Sequence, residues 1–198
     1  MLDSNVLSAL EEVPREAFVP SEFRHLAFAD IEIPIGRGQT MMEPKLGARL
    51  FQALAPQPGE KILEIGTGSG YVTALLAHAG ATITTVEIYP ELSESAAEAL
   101  GTVGVKNVSL EAGDAAAGWR RQDAWDGILL TASVPRLPAA FAASLAPEGR
   151  ISAVIGKAPA MEAVRVEHDG AGSLLMTSLF DTQLPPMVNA PDLHVFQL

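Results

Sequence analysis

The chain has 198 residues, of which 48% are hydrophobic and 19% charged. This composition predicts one globular domain with a full core and argues against a disordered chain. The formal net charge of −11 makes binding to a nucleic-acid backbone unexpected, because phosphate contacts need clustered Lys and Arg. The chain has no cysteine, which excludes disulfides, thiolate nucleophiles and cysteine-based metal sites.

The N-terminal segment MLDSNVLSALEEVP carries an Asp and two Glu and has no basic stretch. We therefore expect no signal peptide. No run of eighteen apolar residues occurs in the sequence, so no membrane-spanning helix and no membrane partner are expected. The expected location is the cytoplasm.

The first part of the chain, residues 1–56, has a helical pattern that is interrupted twice. Apolar residues at helical spacing predict helices at Ser4–Glu12 and Pro44–Leu54. Between them, residues 13–20 are broken by two prolines. Residues 30–40 alternate and then carry two glycines, which predicts a loop.

The middle of the chain, residues 57–156, alternates between strand and helix patterns. This alternation is typical of βαβ units and a parallel sheet, and right-handed crossovers then give a doubly wound sandwich. The predicted strands are 61–65, 81–88, 107–111, 125–131 and 150–155, and the predicted helices are 69–79, 90–100 and a proline-bounded segment that ends at Leu145.

After Gly156 the alternation stops. Residues 162–168 and 173–184 are predicted strands on either side of Asp169-Gly170-Ala171-Gly172, a pattern that predicts an antiparallel hairpin. We therefore predict an α/β fold, a Rossmann-like three-layer sandwich with a mostly parallel seven-stranded sheet that ends in this hairpin. Residues 1–198 are predicted to form one domain, with residues 157–198 as its C-terminal hairpin region.

The most informative motif follows the first predicted strand. It reads Leu63-Glu64-Ile65-Gly66-Thr67-Gly68-Ser69-Gly70, so glycines connect a strand directly to a helix and allow a ligand to approach the backbone. A nicotinamide fingerprint would need its third glycine at Tyr71. The spacing instead resembles the S-adenosylmethionine (SAM) motif, an acidic residue followed by alternating glycines. The alternative is a helix-entry turn with packing glycines.

Two acidic residues at later strand ends support the same interpretation. Glu87 ends the strand TTVEI, where a carboxylate can accept hydrogen bonds from both ribose hydroxyls. Asp114 follows the third strand and is a candidate acceptor for the adenine amino group. The alternatives are a solvated strand-end Glu and an ordinary Gly-Asp turn.

The remaining chemically active side chains give weaker signals. No metal-ligand spacing occurs among the four histidines, His25, His78, His168 and His194, so no metal site is predicted. Trp119 and Trp125 are expected to pack the sheet edge, and Arg120-Arg121 is expected to be a solvated pair.

Several segments together resemble protein-L-isoaspartate O-methyltransferases, from about Val13 to Gly156. The most family-specific is Pro34-Ile35-Gly36-x-Gly38-Gln39-Thr40, whereas the glycine loop is shared widely among methyltransferases. The other matching segments are VPREAFVP (13–20), LEIGTGSGYVTALLA (63–77), TVEI (85–88), GDAAAGW (113–119) and WDGILLTAS (125–133).

This resemblance implies methyl transfer from SAM to the α-carboxylate of L-isoaspartyl residues in damaged proteins or peptides, with S-adenosylhomocysteine as product. It implies that Gln39 and Thr40 cover the methyl donor and face the acceptor. It also implies a SAM site lined by Glu64, Gly66, Thr67, Gly68, Gly70, Glu87, Ile88, Asp114 and Ala115, with Thr131 near the same cleft.

One position departs from the family pattern. The family has a serine in its active site, two residues after the threonine that corresponds to Thr40, and here Met42 occupies that position. Methionine has no hydroxyl donor. The tail LFDTQLPPMVNAPDLHVFQL also differs from the best-known members. Two alternatives therefore stay open: a paralogue that methylates another acceptor, and a non-catalytic SAM-binding module.

Overall fold

The structure is a computed structural model that describes residues 2–119, 124–169 and 172–191. The Arg120-Arg121 pair, residues 170–171 of the predicted turn and His194 lie outside the described residues. None of the helices within the described ranges is long and apolar enough to cross a lipid bilayer.

The N-terminal region contains two helices and a small hairpin. Helix α1 (Ser4–Glu12) begins where the carboxylate of Asp3 accepts the Val6 N–H at 2.9 Å, and helix α2 begins with Pro44 in its first turn. In chain order this region comprises α1, 3₁₀ turns at Arg15–Phe18 and Ser21–Leu26, β1 (Ile33–Gly36), β2 (Gln39–Met41) and α2 (Pro44–Leu54).

The rest of the described chain builds one sheet with its covering helices. The strands are β3 (Lys61–Ile65), β4 (Thr82–Glu87), β5 (Val108–Ala112), β6 (Trp125–Leu130), β7 (Leu145–Lys157), β8 (Ala160–His168) and β9 (Leu174–Asp181). The helices are α3 (Tyr71–His78), α4 (Pro90–Thr102) and α5 (Ala139–Ala143).

The sheet has seven strands in the order β5-β4-β3-β6-β7-β8-β9. The pairs from β5 to β7 are parallel, and the pairs β7–β8 and β8–β9 are antiparallel. This arrangement confirms the predicted mostly parallel sheet and its terminal antiparallel hairpin.

Apolar side chains fill both faces of the sheet because successive strand residues point to opposite sides. Ile62, Ile83 and Leu129 join the cluster that also contains residues of α1, α2 and α3. Leu63 and Ile128 join the second cluster, which includes the side chain of Phe141 in α5. Two cores on opposite faces fix the sheet between its covering layers.

The prediction of a loop at residues 30–40 was wrong for β1 and β2. These strands pair antiparallel, with Ile33 opposite Met41 and Pro34 opposite Thr40. The turn between them uses positive φ angles at Gly36, Arg37 and Gly38. The two glycines that suggested a loop therefore close a hairpin.

The segment between β6 and β7 also differs from its prediction. Helix α5 is only five residues long and starts after Pro138. Strand β7 begins at Leu145, before the predicted strand 150–155, and includes Pro147-Glu148-Gly149, a sequence typical of a turn. The ladder between β6 and β7 shifts register between Trp125 and Gly127, so the chain absorbs the turn as an irregularity within the strand.

Candidate active site

A cavity open to solvent, with about 620 Å³ of empty space that includes part of the solvent, lies at the carboxyl ends of β3, β4, β5 and β6. Open parallel sheets bind ligands at this edge. Most of the predicted site residues line it together: Gln39, Thr40, Gly66, Gly68, Glu87, Ile88, Asp114, Ala115 and Thr131.

The glycine loop forms one wall of this cavity. Gly66, Gly68 and Gly70 have φ angles of 96°, 53° and 83°, which residues with a Cβ atom rarely adopt. A Cβ on Gly66 would lie 2.3 Å from the hydroxyl oxygen of Thr131. That hydroxyl lies 2.9 Å from the Ile65 carbonyl oxygen and 2.5 Å from the Gly66 carbonyl oxygen, so it connects the end of β6 to the loop.

Glu87 is held rigidly at the end of β4. Its Oε2 accepts the Gly68 N–H at 2.9 Å, and its Oε1 accepts the Tyr89 N–H at 3.0 Å. The side chain is buried and still lines the cavity. Two backbone donors therefore orient the carboxylate that the sequence assigned to the ribose hydroxyls.

The structure does not bring Glu64 to the cavity wall. Its carboxylate is fully buried behind the loop, where Oε2 accepts hydrogen bonds from Thr73 at 2.5 Å and Thr85 at 2.7 Å. Burial raises the pKa of Glu64 from 4.5 to about 7, although the two hydroxyl donors lower the pKa and the charge of Glu87 raises it further.

Thr67 and Gly70 are also set back from the larger cavity. The hydroxyl of Thr67 lies 2.7 Å from that of Thr85, in the same buried network as Glu64. Gly70 forms the N-cap of α3. These residues shape the loop from behind because the strand-to-helix turn exposes only Gly66 and Gly68 to the larger cavity.

Asp114 is held in place by a residue from the C-terminal tail. Its Oδ1 accepts the Ala116 N–H, and its Oδ2 accepts the side-chain amide of Asn189, both at 2.9 Å. Met187 and Val188 complete the cavity wall. Sequence reasoning missed these tail residues because no motif marks them.

The tail reaches the cavity through contacts with Ser133. The backbone N–H of Ser133 donates to the Pro185 carbonyl at 2.9 Å, and its hydroxyl donates to the Leu184 carbonyl at 2.8 Å. The Met187 N–H in turn donates to the Ser133 carbonyl at 2.8 Å. These bonds fix the tail across the end of β6.

Strand β2 carries Gln39 and Thr40, which also line the larger cavity. The Thr40 hydroxyl lies 3.2 Å from the Glu32 carboxylate, and the Gln39 amide lies 3.4 Å from the Arg37 carbonyl. Both side chains belong to β2 and not to a loop, so pairing with β1 sets their position.

A smaller cavity, with about 340 Å³ of empty space that includes part of the solvent, adjoins the larger one and shares Thr40, Gly66, Gly68 and Thr131 with it. Met42 and Thr67 contribute to its wall. Met42 is 7% exposed and also belongs to the first apolar cluster, the one that contains residues of α1, α2 and α3. The residue at the position where the family resemblance implies a serine is thus both a core residue and a cavity residue.

Arg15 also lines the smaller cavity, and sequence reasoning assigned it no role. Its Nε donates to the Ala27 carbonyl at 2.7 Å, and its Nη2 donates to the Met42 carbonyl at 2.8 Å. Its Cζ lies 4.8 Å from the ring centroid of Tyr71. A single arginine in a proline-bounded turn offers no pattern from which this placement could be predicted.

Among the described residues, no group of three or more His, Asp or Glu side chains is placed to hold a metal ion.

The chain is similar to several known methyltransferases. It is 43% identical over 190 residues to protein-L-isoaspartate O-methyltransferase 1 of Anaeromyxobacter sp. (strain Fw109-5). The alignment covers 95% of this chain and 90% of the relative. It is 44% identical over 154 residues to the protein-L-isoaspartate O-methyltransferase of Myxococcus xanthus. That alignment covers 78% of this chain and 73% of the relative.

The fold is similar to that of a protein-L-isoaspartate O-methyltransferase from Plasmodium falciparum crystallised with S-adenosyl-L-homocysteine. The two structures superpose with a TM-score of 0.80 at 18% identity, covering 95% of this chain and 92% of that one. Residues 1–191 match the family described as protein-L-isoaspartate(D-aspartate) O-methyltransferase. The chain therefore belongs to the protein-L-isoaspartate(D-aspartate) O-methyltransferase family.

Proposed function

We propose that the protein transfers the methyl group of SAM to the α-carboxylate of L-isoaspartyl residues in damaged proteins or peptides, and releases S-adenosylhomocysteine. The observation that carries this proposal is that the glycine loop, Glu87 and Asp114 line the same cleft as Gln39 and Thr40. Membership of the family supports the choice of acceptor.

The residues of the larger cavity suit SAM or S-adenosylhomocysteine. Glu87 is the acceptor for the ribose hydroxyls, and Asp114 is the acceptor for the adenine amino group. The side chains of Ile88 and Ala115 flank the adenine region. The loop at Gly66 and Gly68 gives the backbone access that a close ligand needs, because a Cβ at Gly66 would meet Thr131.

The chemistry asks little of the protein beyond orientation. When bound, SAM supplies a methyl group on a sulfonium sulfur. An acceptor carboxylate is already ionised at neutral pH, so no strong general base is required. Thr40 and Gln39 hold the acceptor carboxylate in line with the methyl group, which is a task of proximity and positioning.

Met42 supports a second candidate, methylation of a different acceptor. Its apolar side chain lines the smaller cavity at the position where the family has a hydroxyl donor. Losing a positioned donor of the oxyanion-hole type costs on the order of 2–4 kcal/mol in the transition state. A weaker hold on an isoaspartyl carboxylate would favour another substrate.

We further propose that residues 1–198 act as one domain in the cytoplasm, on isoaspartyl proteins or peptides and without a nucleic-acid partner. In this view residues 1–56 supply the acceptor side, residues 57–156 the SAM side and residues 157–198 the terminal strands. The net charge of −11 supports the exclusion of nucleic acid.

A radiolabelled methyl-transfer assay tests the proposal. The substrates are an isoaspartyl peptide and the matched aspartyl peptide, and Glu87→Ala serves as the cofactor-site control. We expect label only on the isoaspartyl peptide, and weaker SAM binding in the variant by about 1–3 kcal/mol. Binding of SAM without any isoaspartyl methylation would favour the second candidate. If the Glu87 change left SAM affinity untouched, the cofactor assignment would be wrong.

A further inference from the structure

The buried guanidinium group of Arg15 has one nitrogen, Nη1, that makes no hydrogen bond of ordinary geometry to the described residues. Arg15 is 2% exposed. Two of its nitrogens donate to the carbonyl oxygens of Ala27 and Met42, whereas Nη1 is buried and has no hydrogen-bond partner among the described residues. Buried donors without partners are rare in folded proteins because each one loses its hydrogen bonds to water.

No carboxylate among the described residues balances the charge of Arg15. Burial lowers the pKa of Arg15, whereas electrostatic interaction and hydrogen bonding with the Tyr71 side chain raise it, and a guanidinium group stays protonated at neutral pH. No salt bridge joins Arg15 to an acidic side chain within the ranges that the structure describes. The ring of Tyr71 and the two carbonyl oxygens offset only part of the cost of burying a cation.

This group lies next to the place where the two cavities adjoin. Arg15 lines the smaller cavity, which shares Thr40, Gly66, Gly68 and Thr131 with the larger one. A ligand that fills both cavities therefore passes beside the guanidinium. An anionic group there would satisfy Nη1 and balance the charge at once.

We infer that Arg15 binds a carboxylate in the smaller cavity, supplied either by the methyl acceptor or by the methionine end of SAM. The inference rests on the proposed function, because both sources of the carboxylate come from that reaction. Arg15 would contact this carboxylate directly, while its bond to Met42 holds the segment after Thr40 in place. A lysine could not reproduce this arrangement, because the planar guanidinium fork serves three partners at fixed angles.

The test compares Arg15→Lys with Arg150→Lys. Arg150 is 6% exposed and also donates to backbone carbonyls, those of Leu54 and Ala55. It lines neither of the two cavities. The control therefore reports the effect of losing a buried arginine that only supports the fold.

Two pairs of probes identify the source of the carboxylate. Calorimetry compares the affinity for S-adenosylhomocysteine with the affinity for 5′-methylthioadenosine, which lacks the amino acid end. Kinetic assays compare KM for an isoaspartyl peptide with the inhibition constant of its isoasparaginyl counterpart, which carries a neutral amide. If the cofactor supplies the carboxylate, Arg15→Lys lowers the affinity for S-adenosylhomocysteine at least tenfold and leaves the affinity for methylthioadenosine unchanged. If the acceptor supplies it, KM for the isoaspartyl peptide rises at least tenfold and the amide peptide is unaffected.

Each pair of probes gives a ratio of the carboxylate probe to the neutral probe. The inference is wrong if Arg15→Lys changes neither ratio, or changes both ratios no more than Arg150→Lys does. Should Arg15→Lys fail to fold, the wild-type protein decides alone: it must bind at least one carboxylate probe tenfold more tightly than the neutral partner. Absence of isoaspartyl methylation by wild type would contradict the proposed function, while the calorimetric pair still tests Arg15.

Discussion

At the scale of single residues, the carboxyl group of Glu64 makes stability depend on pH. Its pKa is raised from 4.5 to about 7 in the fold, so the folded state binds more protons than the unfolded state between these pH values. Stability therefore falls as pH rises from 4.5 to 7 and stays lowered above 7. The full effect is about 3 kcal/mol, at roughly 1.4 kcal/mol per pKa unit.

Replacing Glu64 with Gln should remove this dependence. The amide oxygen can still accept from Thr73 and Thr85, and the side chain no longer titrates. Urea unfolding at pH 5 and pH 8 should show that wild type loses about 2–3 kcal/mol more than Glu64→Gln over this interval. Equal losses in both proteins would show that Glu64 is ionised throughout.

Met42 is predicted to trade activity against stability. Met42→Ser restores a hydroxyl at the position where the family has one and should raise isoaspartyl turnover severalfold. It also removes a buried side chain from the first apolar cluster, which should cost about 2–4 kcal/mol of unfolding free energy.

A matched core variant separates these two effects. Met161 is 9% exposed, belongs to the same apolar cluster and lines neither cavity of the active site. Met161→Ser should lower stability in denaturant titrations without raising turnover. If Met42→Ser behaves in the same way, Met42 has only a packing role and Thr40 supplies the hydroxyl that the reaction needs.

At the scale of elements, the glycine loop depends on its contact with the end of β6. Gly66→Ala would place a Cβ 2.3 Å from the Thr131 hydroxyl oxygen, at a φ of 96°. We expect a loss of about 2–3 kcal/mol in unfolding free energy from the strained backbone and the displaced threonine, together with weaker SAM binding.

Gly59→Ala provides the control for backbone strain alone. Gly59 has a φ of 85°, and a Cβ there would meet nothing within 4 Å. Thermal unfolding and calorimetry on both variants should show a smaller stability loss and normal SAM affinity for Gly59→Ala. A comparable loss of affinity in both would mean that the contact with Thr131 is not what shapes the loop.

Elements with strong local signals were predictable from the sequence. The helices Ser4–Glu12 and Pro44–Leu54 and the strand Lys61–Ile65 have the predicted bounds, because apolar spacing, a capping Asp and a first-turn Pro all agree there. The β1–β2 hairpin and the long β7 were not predictable, because their bounds depend on pairing with other strands.

The candidate site divides in a similar way. Residues in motifs, such as Gly66, Glu87 and Asp114, lie together in the larger cavity. Glu64 belongs to the same motif as Gly66, yet its carboxylate is buried in the core. The direction of a strand side chain depends on how that strand packs in the sheet, which the motif alone does not show. Arg15 and Asn189 reach the site only through the folded chain, and no local pattern marks either one.

At the scale of the whole molecule, Arg150 connects parts of the chain that are far apart in sequence. It donates to the carbonyls of Leu54, Ala55 and Asp126 and forms an ion pair with Glu60. Arg150→Ala leaves these acceptors without their buried partner and should cost about 3–5 kcal/mol of unfolding free energy.

The same variant should leave the affinity for S-adenosylhomocysteine unchanged, because Arg150 lies outside both cavities. Urea titration and calorimetry check the two halves of this prediction. A loss of affinity that matches the loss of stability would mean that the network around Arg150 and the cofactor cavity form one cooperative unit.

The wall of the cofactor cavity extends along the chain from Ile35 to Val188. A nascent polypeptide therefore cannot complete this wall on the ribosome until Val188 has left the exit tunnel. A ligand that binds only the native state stabilises it by about 2.7 kcal/mol at a hundredfold excess over Kd. A chain ended at Gln183 retains all seven sheet strands, and its melting temperature should rise less with S-adenosylhomocysteine than that of the full chain, because Met187, Val188 and Asn189 are missing. Cellular SAM would then protect finished molecules best, and chains released early by interrupted translation would be more exposed to proteases.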